Sequence, residues 1–141
     1  MTKRELIITV PGLPPNPNAA SRNWFAARKA EKQFADIVRY SALHARNTQY
    51  EYPAWQTLER AEIMVRFVVP TCKPGPVPDT HNLLMGLKKA IDQLTARTRG
   101  SGTTQYQGIG IIEDDGDGLS WGAVEVVRQG GESFTIITIR G

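Results

Sequence analysis

The chain has 141 residues, 40% apolar and 22% charged, a composition that predicts a single globular domain with a core of its own. No stretch approaches the roughly 20 apolar residues of a membrane span. Its one cysteine, Cys72, excludes an internal disulfide framework and any multi-cysteine metal site, which suits a reducing cytoplasm. The net charge of +3 is unevenly spread: residues 1–50 carry eight basic and three acidic side chains, residues 111–141 two basic and six acidic. A basic half facing a polyanion and an acidic patch holding cations would give this split, and so would ordinary surface variation.

In chain order, Leu6–Val10 is a short β-type run, too brief for a signal peptide despite the charged residues before it. Four prolines in Pro11-Gly-Leu-Pro-Pro-Asn-Pro-Asn18 then forbid helix and regular pairing, predicting an extended, semi-rigid loop. Ser21 has the right chemistry to cap a helix running to about Asn47. Ala61–Val69 is a second strand, stopped by Pro70 and the breaker-rich stretch up to Pro78. A second helix is expected from about Thr80 to Arg97, and the polar, Gly-containing residues 98–108 read as a mobile loop. Strands at Ile109–Ile112, Leu119–Arg128 and Ser133–Ile139 complete the set. The order β-α-β-α-β-β-β predicts one α/β domain over residues 1–141, with α+β as the alternative: a mixed sheet of about five strands and two main helices.

Projected at 100° per residue, Arg28, Lys32, Arg39 and Arg46 fall within about 40° of one another on the first helix. Ala27, Ala30, Phe34, Ile37, Val38, Ser41 and Ala45 lie opposite. With Lys29 alongside and Arg22 upstream, the stripe is either a phosphate-tracking surface or the solvated face of an amphipathic helix.

On the second helix Leu83, Leu84, Leu87, Ala90, Ile91 and Leu94 gather on one face, expected to be buried. His81, Met85, Lys88 and Asp92 lie on the face pointing away from it. Asp79 stands just before the helix, where an aspartate is either an N-cap or a ligand aimed outward. His81 is a surface histidine or a metal donor, and Lys88 with Asp92 has the i, i+4 spacing of a surface ion pair.

The remaining feature is Ile111-Ile-Glu-Asp-Asp-Gly-Asp-Gly118, with four carboxylates in five positions. Two unit charges about 4 Å apart cost on the order of 4 kcal/mol at an effective dielectric near 20. A turn relieves this by splaying the side chains into water, and a divalent cation relieves it by binding. An EF-hand loop is excluded. Glu113, Asp115, Asp117 and Gly118 fit its positions one, three, five and six, but position twelve is Val124 and β-type sequence follows.

Together, Pro78-Asp79-Thr80-His81-Asn82-Leu83, Lys88-Lys-Ala-Ile-Asp92-Gln-Leu94 and Ile111-Ile-Glu-Asp114-Asp115 resemble the motifs of the RusA-type Holliday-junction resolvases, common in phages and prophages. That family's pattern is a breaker-rich approach to Asp-x-Asp-Asn-Leu, a helix with Lys-x-x-x-Asp-x-Leu, and a strand ending in Asp-Asp. Leu13-Pro-Pro-Asn-Pro-Asn18 is similar to the family's Pro-Pro-Ser-x-Asn segment, so the likeness covers most of the chain. Two departures stand out: His81 replaces the second aspartate, and residues 95–108 are longer than the family's bridge.

The resemblance implies a RusA-like endonuclease that hydrolyses phosphodiesters at four-way DNA junctions in recombination and repair. It implies a homodimer without membrane attachment, in the cytoplasm of a bacterium or phage-infected cell. Asp79, His81, Lys88 and Asp115 would be catalytic, and Asp79, His81, Asp114 and Asp115 would hold Mg²⁺, or Mn²⁺, which an imidazole suits better. Arg22, Arg28, Lys29, Lys32, Arg39 and Lys89 would bind DNA, with Asn82 and Asp92 in support. About 16 Å of helix separates His81 from Asp92, too far to share one ion. A nuclease for flaps and other branched DNA, and a non-catalytic branched-DNA-binding protein, are the alternatives.

Overall fold

The computed structural model describes residues 4–15, 24–50, 55–72, 75, 78–96, 98–99, 106–113, 116 and 118–141. The elements are β1 (Glu5–Pro11), α1 (Trp24–Gln49), β2 (Ala61–Val69), α2 (Thr80–Ile91), β3 (Thr98–Arg99), β4 (Tyr106–Gln107), β5 (Leu119–Arg128) and β6 (Phe134–Arg140). Four strands form one mixed sheet in the order β1-β6-β2-β5. β6 is antiparallel to both β1 and β2, while β5 runs parallel to β2. The arrangement is α+β, with four strands in the main sheet where the sequence suggested about five, and β3 and β4 pairing apart from it.

Strict alternation sorts the sheet into two faces. Leu6, Ile8 and Val10 of β1, Ile63, Val65 and Phe67 of β2, and Ile137 and Ile139 of β6 are buried on one face. Against them α1 sets Phe34, Val38, Ala42 and Ala45, a four-residue rhythm that keeps one helix face inward. α2 adds Leu83, Leu87, Ala90 and Ile91 to the same core. Lys89 of α2 and Glu31 of α1 tie the helices at the surface, 2.8 Å apart.

The free edge of β1 is closed by side chains. Gln49 donates to the Ile7 carbonyl (2.7 Å) and accepts from its amide (3.2 Å), copying a neighbouring strand's backbone. Tyr50 does the same at Glu5, its hydroxyl accepting from the amide and donating to the carbonyl. Pro11 has no amide to offer there. These groups blunt an edge that would otherwise template another strand.

Ile109–Ile112 differs from expectation: it is a buried connector with only isolated bridges to Leu58 and Thr95. Ile111 and Ile112 are both within 1% of full burial, yet the segment makes only isolated bridges and no ladder. Gly110 adopts a positive φ of 72° that breaks the extended path. The backbone groups here are met from several sides. The amides of Ile109 and Ile111 donate to Gln93 and Leu94, while Arg46, Trp55 and Thr57 donate to the carbonyls of Ile109, Ile111 and Gly110.

α2 also stops earlier than Arg97. A 3-10 turn at Asp92–Leu94 follows it, and Thr95 closes the end by donating its amide and hydroxyl to the Asp92 carbonyl. The stretch read as a mobile loop has its ends paired, Thr98 with Gln107 and Arg99 with Tyr106.

Gly86, in the middle of α2, lets the Pro-rich segment lie against the helix. A Cβ there would sit 2.7 Å from the Pro15 carbonyl oxygen and 2.9 Å from the Pro14 Cβ. Alanine normally stabilises a helix by up to about 1 kcal/mol over glycine. Here Gly86→Ala should instead destabilise the protein by about 1–2 kcal/mol, because the obstacle is backbone. Urea unfolding checks this, and a gain in stability would contradict the packing described.

Candidate functional site

The N-terminus of α2 follows Pro78, and its first turn presents unpaired amides that need acceptors. Asp79 supplies one: its Oδ1 accepts from the amides of His81 (2.7 Å) and Asn82 (3.4 Å). That leaves Oδ2 without a hydrogen-bond partner among the described residues. The cap therefore fixes the carboxylate's direction while keeping one oxygen available, so cap and ligand are compatible roles for Asp79. Asp79 and His81 are exposed; Asn82 is half-buried.

Lys88 lies two and a half turns along the helix, about 13 Å from Asp79. Its ammonium stands 5.5 Å from the ring centroid of Trp121 on β5. A cation above an indole face is attracted by the ring's quadrupole, which gives this flexible side chain a preferred place. Trp121 was not among the residues that sequence reasoning selected. Its role depends on β5 passing beneath α2, and no local pattern encodes that.

The acidic turn is gripped at both ends. The Glu113 amide donates to the Leu58 carbonyl (2.8 Å), and the Glu113 carbonyl accepts from Ala96 (3.4 Å). On the other side the Gly118 carbonyl accepts from Ala61 (2.9 Å). Gly118 has to be glycine, since a Cβ would fall 2.1 Å from the Glu59 carbonyl oxygen. Asp114, Asp115 and Asp117 lie outside the described residues.

These anchors decide where the turn begins. Ala96 and Leu58 are at the C-terminal end of α2, whereas Asp79 caps the N-terminal end. The twelve residues of α2 span about 18 Å. Glu113 is thus about a helix length from Asp79 and His81, and the described backbone does not bring the two sets together. Among the described residues no three His, Cys, Asp or Glu side chains group closely enough to hold a metal ion. The described donors are Asp79 and His81, a carboxylate and an imidazole, to which a transition metal is better suited than Mg²⁺.

Of the cations expected to meet DNA, Arg28, Lys29 and Lys32 are exposed on α1 and Arg39 is half-buried. Arg46 leaves the stripe, because its guanidinium donates to the Ile109 carbonyl (2.9 Å) and so braces the buried connector. Lys89 is engaged with Glu31. Such a surface pair is worth only about 0–1 kcal/mol, so a phosphate can compete for the lysine. Arg22 lies outside the described residues. No helix among the described residues is long and apolar enough to cross a membrane.

No protein-family model matches the chain, and no curated protein matches it.

The cap makes Asp79 separable into two functions by substitution. Asparagine caps helices about as well as aspartate, so Asp79→Asn should cost at most about 0.5 kcal/mol. Asp79→Ala removes the acceptor and should cost about 1–2 kcal/mol. Denaturant titration of the two variants measures the difference; equal stability would mean that the cap carries no weight.

Proposed function

We propose that this chain is a divalent-metal-dependent endodeoxyribonuclease acting on branched DNA, four-way junctions foremost. The observation that carries the proposal is the oriented carboxylate of Asp79, with one oxygen held by α2 and the other without a partner among the described residues, beside His81. In sequence this pair sits within the same ordered motifs as Lys88, Asp92, Asp114 and Asp115. Asp79 and His81 would be the described ligands, and Asp115 with Asp114 would join them only by reaching back along α2 from Glu113, about a helix length away. A bound Mg²⁺ or Mn²⁺ supplies charge that polarises the phosphate and lowers the pKa of an attacking water.

The chain's own residues have definite parts in this scheme. Asp79 is pre-oriented by the amides of His81 and Asn82, so no rearrangement is needed to present Oδ2. Lys88, placed over Trp121, meets a phosphate at the site's edge and offsets charge developing there. Arg28, Lys29, Lys32 and Arg39 track the backbone of a DNA arm along α1 and release counterions as they do so. A homodimer would match the paired, symmetry-related cut points of a four-way junction.

A second reading is favoured by one observation. The start of the acidic turn and the Asp79 end of α2 lie about a helix length apart, farther than one ion spans, and without a shared ion the scaffold would bind branched DNA without cutting it.

Cleavage of synthetic four-way and flap substrates in Mg²⁺ and in Mn²⁺ distinguishes the two. The nuclease reading predicts cutting by the wild type, abolished by Asp79→Asn and by Asp115→Asn with binding retained. Binding without cutting in either metal overturns it in favour of the scaffold. His81→Asp should raise activity in Mg²⁺ relative to Mn²⁺; an unchanged metal preference removes His81 from the ligands. Reversing charge at Arg28 and Lys32 should weaken binding to every DNA tested and flatten its salt dependence.

A further inference from the structure

Helix α1 puts Phe34, Val38, Ala42 and Ala45 into the core, and its opposite side carries two aromatic rings that the core does not use. Phe25 is 78% and Tyr40 70% exposed, the two most exposed large apolar side chains among the described residues. A helix face that only meets water has no need of such rings, because polar residues would fill both positions without loss of packing.

Their placement is ordered. At 100° per residue, Phe25, Lys29, Asp36 and Tyr40 fall within about 60° of one another, directly opposite the buried four. Beside that line runs a second, of Arg28, Lys32 and Arg39, within about 40°. Against these four cations stands one exposed carboxylate, Asp36, since Glu31 is half-buried and bound to Lys89. The two rings are about 22 Å apart along the helix axis, the length of about six nucleotides at about 3.4 Å each.

This combination selects its occupant. A row of cations suits a polyanion. In a duplex the flat faces of the bases already lie on one another, so a ring on the outside finds nothing to stack upon. An unpaired strand offers phosphates to one line and bare base faces to the other, and aromatic stacking accepts any base. A bilayer surface would take the apolar face of the helix, which the sheet already covers.

We infer that the outer side of α1 is a single-strand-binding ridge, on which the backbone follows Arg28, Lys32 and Arg39 while bases stack on Phe25 and Tyr40. The inference rests on the DNA-binding part of the proposal above and not on cleavage. It narrows what α1 holds in a branched substrate, from any arm to a strand left unpaired at the branch.

Fluorescence anisotropy of a labelled oligothymidylate of about twenty nucleotides, alone and paired with oligoadenylate, compares the two forms in EDTA, where metal-dependent cutting does not intervene. The wild type should bind the single strand about tenfold more tightly than the duplex. Phe25→Ala and Tyr40→Ala should each weaken single-strand binding about tenfold, with duplex binding and circular dichroism unchanged. Tyr40→Phe, which keeps the ring, should bind as the wild type does, and Lys32→Glu should weaken both forms. A wild type that prefers the duplex overturns the inference, as do alanine variants that lose nothing or lose both forms equally. Binding to neither form also overturns it and leaves the ridge to a protein partner. Junction cleavage with single-strand binding indifferent to both rings keeps the nuclease reading without this inference. Single-strand binding that needs both rings, without junction cleavage, keeps this inference without the nuclease.

Discussion

Because β2 and β5 run parallel, the chain must travel from the C-terminal end of β2 back to the end where β5 begins, and α2 makes most of that journey. A parallel pair always requires such a crossover. Here its consequences reach the candidate residues of α2 and the anchors of the acidic turn. The helix starts at one end of the sheet, where Asp79 caps it. It finishes at the other, where the 3-10 turn, the buried connector and the acidic turn are stacked against Leu58 and Ala61. Lys88 falls between the two ends, above Trp121. The order of these groups along the molecule is therefore set by one topological requirement, and the apolar stripe of α2 holds it in place.

The same constraint explains the depth at which Ile109–Ile112 is buried. To re-enter the sheet at β5, the chain must pass under the end of α2, with no strand alongside to pair with. Its backbone groups are instead met by Gln93, Leu94, Thr95 and three side chains from distant segments. Such a passage is expensive to leave unsatisfied, since each unpaired buried group costs on the order of 1–3 kcal/mol. Arg46, Trp55 and Thr57 are the residues that prevent this. Glu113 and Gly118 are anchored separately, Glu113 by Leu58 and Ala96 and Gly118 by Ala61.

Much of this was legible in the sequence, for identifiable reasons. The alternation of β1, β2 and β6 and the four-residue rhythm of α1 are local signals, and each element appeared within a few residues of its expected position. Asp79 was legible as a cap because it stands directly before the helix it caps. What escaped was non-local. A run of apolar residues at 109–112 reads equally as strand or as buried connector. Arg46 belongs to the basic stripe in projection but reaches across to a carbonyl 63 residues away. Gly86 carries no local signal, because what requires a glycine there is the backbone of Pro14 and Pro15, distant in sequence. Trp121 entered the site only because the crossover lays α2 over β5.

At issue is whether the two ends of α2 act on one cation. Paramagnetic Mn²⁺ broadens the amide resonances of residues near it, so its titration into isotope-labelled protein reads each end separately. If Asp79, His81, Asp114 and Asp115 share an ion, the amides of His81 and Asn82 must broaden together with those of Gly116 and Gly118, at the same Mn²⁺ concentration. Broadening confined to one end of the helix, or arriving at the two ends at different concentrations, would contradict a single shared metal centre.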